Sequence, residues 1–147
     1  IMTTYATLRA VKERKLALDK LLTVSHAAAA QSPVKMGFPP GTTVTVDNAL
    51  KMLMVRSAND MAVVLAEGVG GSIEGFADVM NRHAQRLGMT QSHFVNPNGL
   101  PADAQVTSAR DMAILARAAI REFPEYDHYW RLPGIRMGKR VQRTTTP

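Results

Sequence analysis

Apolar residues recur at helical spacing along most of this chain. Ile1, Tyr5, Leu8 and Val11 fall near one face of a helix from Ile1 to about Arg14, with Arg9, Lys12 and Glu13 on the other. Lys15 to Leu22 is mixed and reads as a loop with one helical turn; Thr23-Val24-Ser25 reads as a short strand or extended link. Ala27 to Ala30 is a helix-prone stub, stopped by Ser32-Pro33. Phe38-Pro39-Pro40-Gly41 has turn chemistry, and the β-branched alternation of Thr42 to Val46 predicts a brief strand. Asp47 is placed to cap the next helix, whose inner face is Leu50, Leu53 and Met54. Met61, Val64, Leu65 and Val69 carry the period into another helix, ended by Gly68 and Gly70-Gly71.

The second half is more regular. Ser72 caps a helix with one stripe of Ile73, Phe76, Ala77, Met80, Ala84 and Leu87, closed by Gly88. Met89 to Gln105 is a long connection holding Asn96-Pro97-Asn98-Gly99, a turn-rich run of the length that is often functional or tightly packed. Thr107 or Ser108 opens another helix, with Asp111 at capping-box spacing after Ser108. Its predicted buried face is Met112, Leu115, Ala116, Ala119 and Ile120, and Phe123-Pro124 closes it. Tyr126, Tyr129 and Trp130 are expected to pack its end. Beyond Pro133-Gly134 the pattern is compatible with extended chain but assigns no strand. The sum is a mainly α body with short strand-like connectors.

Composition narrows the chemistry. With 147 residues, 46% apolar and 20% charged, the chain has the make-up of one folded domain. No apolar run approaches the ~20 residues of a membrane-spanning helix. The absence of cysteine excludes a disulfide framework, a thiol nucleophile and a thiolate metal site. His26, His83, His93 and His128 lack metal-ligand spacing, so no metal or cofactor is expected; His83 reads as a surface or packing residue. Gly68, Gly70 and Gly71 follow a helix instead of opening one, so they read as punctuation, not as a phosphate loop. The net charge of +6 is uneven: after Asp127 come Arg131, Arg136, Lys139, Arg140 and Arg143 with no acid. A basic end permits nucleic-acid binding, but a recognition-helix motif is absent and aromatics for stacking are few. No nucleic-acid partner is therefore expected.

The joint Ser57-Ala58-Asn59-Asp60, between two apolar helical runs, bears two readings. One is an interhelical turn in which Ser57 or Asn59 caps the second helix, the reading spacing alone favours. The other is a hydroxyl and an amide held in fixed geometry at the edge of a cleft.

The order of features then becomes recognisable. Ser57-Ala58-Asn59-Asp60 heads an apolar helix, and Phe76-Ala77-Asp78-Val79-Met80-Asn81 leads to Arg86-Leu87-Gly88-Met89-Thr90. His93-Phe94-Val95-Asn96-Pro97-Asn98-Gly99-Leu100 and Thr107-Ser108-Ala109-Arg110-Asp111-Met112-Ala113 follow. From Ile1 to about Tyr126 this resembles the serine-type D-alanyl-D-alanine carboxypeptidases, the low-molecular-mass penicillin-binding proteins. The resemblance implies the helical subdomain of a β-lactamase/DD-peptidase-like α/β fold, with residues 1–130 as the helical part and 131–147 as the start of the return towards a sheet.

The family's site joins Ser-x-x-Lys, Ser-x-Asn and Lys-Thr-Gly. The resemblance places Ser57 and Asn59 on the middle motif: Ser57 relays a proton between the activating lysine and the leaving group, and Asn59 hydrogen-bonds the substrate backbone. Ser32-Pro33-Val34-Lys35 has the letters of the first motif but sits in a proline-broken loop, so it is rejected as nucleophile. Ile1 matches the family segment just after Ser-x-x-Lys, so that motif is expected directly upstream. Lys-Thr-Gly does not occur and is expected downstream of Pro147. The uncapped start at Ile1 and the open end at Thr144-Thr145-Thr146-Pro147 likewise suggest an internal piece of a longer polypeptide, with any signal peptide outside it.

The implied activity is removal of the terminal D-alanine from peptidoglycan stem peptides through an acyl-enzyme, with this chain alone inactive. The implied partners are those peptides and β-lactams. The implied location is the periplasm or cell envelope, with any peripheral membrane attachment made by segments not in this chain. The alternative is a non-catalytic homologue that binds cell-wall peptide or a protein partner.

Overall fold

The helices form largely where the hydrophobic period places them, but their faces are not always the expected ones. The computed structural model describes residues 1–31, 35–100, 102–131, 134–137 and 140–143, the last two segments by their backbone. Helix α1 (Met2–Lys12) buries Met2 through Leu8 together with Ala10, threonines included, while Ile1 is 52% exposed. The buried hydroxyls have acceptors: Thr3 donates to Pro97 O, Thr4 to Met54 Sδ at 3.2 Å and Thr7 to Thr3 O at 2.8 Å. A buried polar group needs such a partner, and threonine reaches one without leaving a helix.

Residues 13–20 form turns with no helical turn among them. Strand β1 (Leu21–Thr23) starts two residues before the expected extended link and pairs antiparallel with β2 (Thr43–Thr45), Leu22 opposite Val44. Ser25 belongs to a cap instead: its Oγ accepts Ala28 N at 3.0 Å and opens the short α2 (His26–Ala29). The stop assigned to Ser32-Pro33 lies outside the described residues. Helix α3 (Val46–Arg56) is capped by Thr45, whose Oγ1 accepts Asn48 N at 3.1 Å, and not by Asp47. The reason is conformational. Thr45 is still extended at the end of β2, whereas Asp47 is already helical and turns its carboxylate to Lys51 at 3.0 Å and to the Tyr129 hydroxyl.

Helix α4 (Asn59–Gly70) is apolar on every side, the pattern of a central helix, and Asn59 through Ala66 are all buried. It packs against α1, α2, α3 and α5 (Ile73–Leu87). The glycines at its end have different jobs. Gly71 takes φ +81° and stops the helix, while Gly70 and Gly75 let two backbones touch. A Cβ on Gly75 would lie 2.2 Å from Gly70 O.

Ser72 caps α5 through Gly75 N at 2.9 Å; Phe76, Met80 and Ala84 are buried, and Gly88 at φ +81° ends it, as the sequence predicts. Helix α6 (Ala109–Glu122) buries Leu115 and Ala119, but Ile120 is 61% exposed. One residue past Ala119 is a 100° turn of the helix, and Ile114 and Ala118 take the place beside the core. A 3₁₀ stretch (Pro124–Trp130), kinked at Tyr126, stacks Tyr126 between Phe123 and Tyr129 at ring distances of 6.4 and 6.3 Å. The extended end is a hairpin, β3 (Gly134–Met137) antiparallel to β4 (Arg140–Arg143).

Candidate active site

Helix α3 ends at Arg56, and the next residue carries the chain round. Ser57 sits at φ 52°, ψ 39°, with its N–H on Leu53 O at 2.8 Å. This is the left-handed region, which costs a residue with a side chain ~1–2 kcal/mol. Neither Ser57 nor Asn59 caps α4. The cap position belongs to Ala58, which has no side chain able to do it, and Asn59 is the first helical residue. The cap reading of the joint therefore fails. A strained, exposed serine at a helix junction is the arrangement expected where geometry serves something other than stability.

Ser57 opens onto a cavity of about 580 Å³. One wall is the start of α1 with Ile1, Thr3 and Thr4; another is the end of α3 with Leu53 and Met54; the third is the loop of Phe94 and Asn96 to Gly99. Asn59 is buried to 5% exposure two residues from Ser57 and does not line that cavity.

Asp60, the last residue of the joint, has a structural task that sequence reasoning missed. It is fully buried, and its carboxylate accepts Met36 N at 2.9 and 3.0 Å, Gly37 N at 3.1 Å and Met61 N at 2.9 Å. It therefore straps the segment at 36–37 to the first turn of α4. The fourth letter of Ser57-Ala58-Asn59-Asp60 was the available signal: an acid in the first turn of an otherwise apolar helix.

The third wall is braced by side chains that imitate a backbone ladder. Asn81 Oδ1 accepts Phe94 N and its Nδ2 donates to Phe94 O, both at 2.8 Å. Gln105 Oε1 accepts Val95 N at 2.9 Å and Asn96 N at 3.1 Å, and its Nε2 donates to Leu100 O at 2.9 Å. Asn96 spans the Asn98-Gly99 turn by accepting Gly99 N and donating to Leu100 O, both at 2.9 Å. Asp111 stands at capping-box spacing after Ser108. The Ser108 half forms, with Oγ accepting Asp111 N at 3.1 Å, but the buried carboxylate instead accepts Gln91 N and Ser92 Oγ, both at 2.8 Å. Asn98 Nδ2 reaches across to Gln31 Oε1 at 3.1 Å.

Behind the cavity, Tyr5 joins α1, α5 and α6. Its hydroxyl donates to the Glu122 carboxylate at 2.9 Å and accepts from Arg86, and Arg9 pairs with Glu122 at 2.9 Å. Burial raises the Tyr5 phenol above its ordinary value, and burial with the Asp47 bond raises that of Tyr129. His83 stacks edge-on against Tyr5 at 5.3 Å, the packing role expected of it. Burial first, then the charges of Arg86 and Arg9, lower its pKa to about 4. Among the described residues no group of three or more histidines or carboxylates could hold a metal ion.

Comparison with known proteins agrees with this architecture. The family model described as D-alanyl-D-alanine carboxypeptidase matches residues 1–138. D-alanyl-D-alanine carboxypeptidase DacC of Escherichia coli is 38% identical over 131 residues, covering 85% of this chain and 33% of the relative. Among solved structures, DacD of Francisella tularensis superposes with a TM-score of 0.87 at 39% identity, over 90% of this chain and 32% of that one. Penicillin-binding protein D2 of Listeria monocytogenes, solved in a cefotaxime-bound form, gives 0.84 at 26% identity, over 99% and 60%. The chain spans about a third of the length of the curated relatives it matches. With the helical body, the Ser57 junction and a match over nearly all its residues, the chain belongs to the D-alanyl-D-alanine carboxypeptidase family.

Proposed function

We propose that this chain is the helical part of a serine DD-peptidase of the bacterial envelope, with Ser57 and Asn59 as the middle motif of its site and residues 131–147 beginning the return to a sheet. The observation that carries the reading is the shared cavity: the opening residues of α1 and the strained Ser57 line it together. A Ser-x-x-Lys directly before Ile1 would enter that cavity. Its serine oxygen would bond to the carbonyl carbon of the terminal D-Ala–D-Ala peptide, and the C–N bond would break. D-alanine would then leave with a proton relayed through the Ser57 hydroxyl. Asn59 would hold the peptide backbone, a role that requires its amide to reach the substrate from the buried first turn of α4. The β3–β4 hairpin and the cefotaxime-bound relative support the same reading, with peptidoglycan stem peptides as substrate and β-lactams as inhibitors.

Intact-mass measurement with a penicillin tests it. The 147-residue chain of 16.0 kDa should gain no adduct, because its Ser-x-x-Lys letters, Ser32 to Lys35, fall in a proline-broken stretch of sequence and not at the start of a helix that would set the lysine beside the serine. A protein extended to include both flanking motifs should gain one. In that protein Ser57→Ala should slow acylation by roughly 10²–10⁴, the usual worth of a positioned proton-transfer group. An adduct on the 147-residue chain would overturn the upstream nucleophile. A folded, extended protein that takes no adduct would make it a non-catalytic binder.

A further inference from the structure

A second hollow of about 450 Å³ lies between the middle of α1, the end of α4 and α5, and shares no lining residue with the Ser57 cavity. Its floor is apolar, made by Ala6, Ala10, Leu16, Val69 and Val79. Its rim is cationic. Arg82, His83 and Arg86 follow Val79 at the spacing of one face of α5, and Lys15 comes from the turn after α1. The one carboxylate in the lining, Glu13, is already engaged by Arg9 at 3.7 Å and Lys15 at 3.8 Å. Arg86 is held by Tyr5. Arg82, in contrast, has no hydrogen-bond or ion-pair partner among the described residues. At the His83 ring, after burial, the nearest acting charges are those of Arg86 and Arg9, which lower its pKa, and then Glu13 and Glu122, which raise it.

We propose that this hollow binds an amphiphilic organic anion, a phosphate or carboxylate head against Arg82, Lys15 and Arg86 with an apolar body on the alanine and valine floor. A concave site with an apolar base and a few convergent charges suits such a molecule better than a small hydrated ion, which gains nothing from the floor. Arginine supplies the planar donor fork for an oxyanion. The surface position makes the attraction sensitive to salt.

The test is an NMR titration of the 147-residue chain, followed at the His83 ring at constant ionic strength. The probes are hexyl phosphate and inorganic phosphate. Hexyl phosphate should give a saturating shift with an affinity roughly tenfold above that of inorganic phosphate, since the hexyl chain adds apolar area that the floor can partly cover. Arg82→Ala should weaken hexyl phosphate by roughly tenfold, the worth of one charge-assisted hydrogen bond, and raising salt should do the same in the native chain. Because Arg82 is exposed and unpartnered, its replacement leaves the fold intact, which the unchanged dispersion of the spectrum checks. Equal affinity for the two probes would overturn the amphiphile. A non-saturating shift, or no effect of Arg82→Ala, would overturn the site.

Discussion

Asp60→Ala is the perturbation that most directly tests how the site is held. Asp60 is 0% exposed and accepts from three backbone donors, those of Met36, Gly37 and Met61. A hydrogen bond to a charged group is worth about 1.5–3 kcal/mol, so three would sum to about 4.5–9 kcal/mol if nothing could relax. Relaxation is available at two of them. Met36 is half-buried and Gly37 exposed, so their amides recover water once the segment lifts, whereas Met61 N stays buried. The expected loss is therefore about 3–5 kcal/mol, which lowers Tm by roughly 10 °C for a chain of this size. Asp60→Asn keeps the volume but turns one acceptor into a donor facing an amide, and should lose about half as much. Urea unfolding followed by far-ultraviolet circular dichroism gives the equilibrium values, and hydrogen exchange at the Met36 and Gly37 amides shows whether the segment is released. A loss below ~1 kcal/mol for Asp60→Ala, with those two amides still protected, would refute the strap.

Three other perturbations separate the remaining forces. His83 has a folded pKa of about 4 against 6.5 for the free ring, so between those values the unfolded chain binds more protons and stability rises with pH. The contribution is complete above pH 6.5 and is lost as pH falls towards 4. With the ring half-exposed it should amount to about 1 kcal/mol, and His83→Gln should flatten that part of the stability–pH curve. Gly75→Ala should cost about 2–3 kcal/mol, because the new Cβ meets Gly70 O, and Gly71→Ala only ~1 kcal/mol, because it meets open space but keeps φ +81°. Equal losses in thermal denaturation would mean the two backbones are not in contact. Ser57→Gly should stabilise by about 0.5–1 kcal/mol by removing the left-handed strain, offset in part by a looser unfolded chain, while Ser57→Ala should not; calorimetry that ranks alanine above glycine would mean that the junction is unstrained.

The elements were legible in the sequence wherever local chemistry decides them. Ser72 and Ser108 cap helices because a short hydroxyl side chain before a helix has an amide within reach whatever surrounds it. Gly88 ends α5 because only glycine takes φ +81° without strain. Errors arise where a distant partner competes. Asp47 has the letters of a cap, but Thr45 is still extended there and Lys51 and Tyr129 claim the carboxylate. Asp111 has the letters of a capping box, but the chain returning at Gln91 and Ser92 takes its oxygens. In α1 the hydrophobic period leaves Thr3, Thr4 and Thr7 unassigned, and they are buried because α4, α5 and the loop at Pro97 surround the helix. No period in the sequence carries that information.

The same division governs the candidate site. The positions of Ser57 and Asn59 are readable as a motif, but only part of what holds the junction is local: Leu53 O, four residues back, takes the Ser57 amide, whereas Asp60 ties the turn that follows it to a segment 23 and 24 residues earlier. The loop wall follows a similar rule. A strand edge would supply ladder bonds from backbone alone, yet a ladder is flat and repeats at fixed spacing. Here Asn81, Gln105 and Asn96 satisfy the loop amides one at a time, so the chain can turn sharply at Asn98-Gly99 and still leave few degrees of freedom. A cavity framed in this way is stiff without being a sheet. Its stiffness resides in carboxamides and carboxylates that a hydrophobic pattern does not distinguish from solvent-facing residues. That explains why the helical body could be read from periodicity, while the residues that fix the site became visible only once their partners were in place.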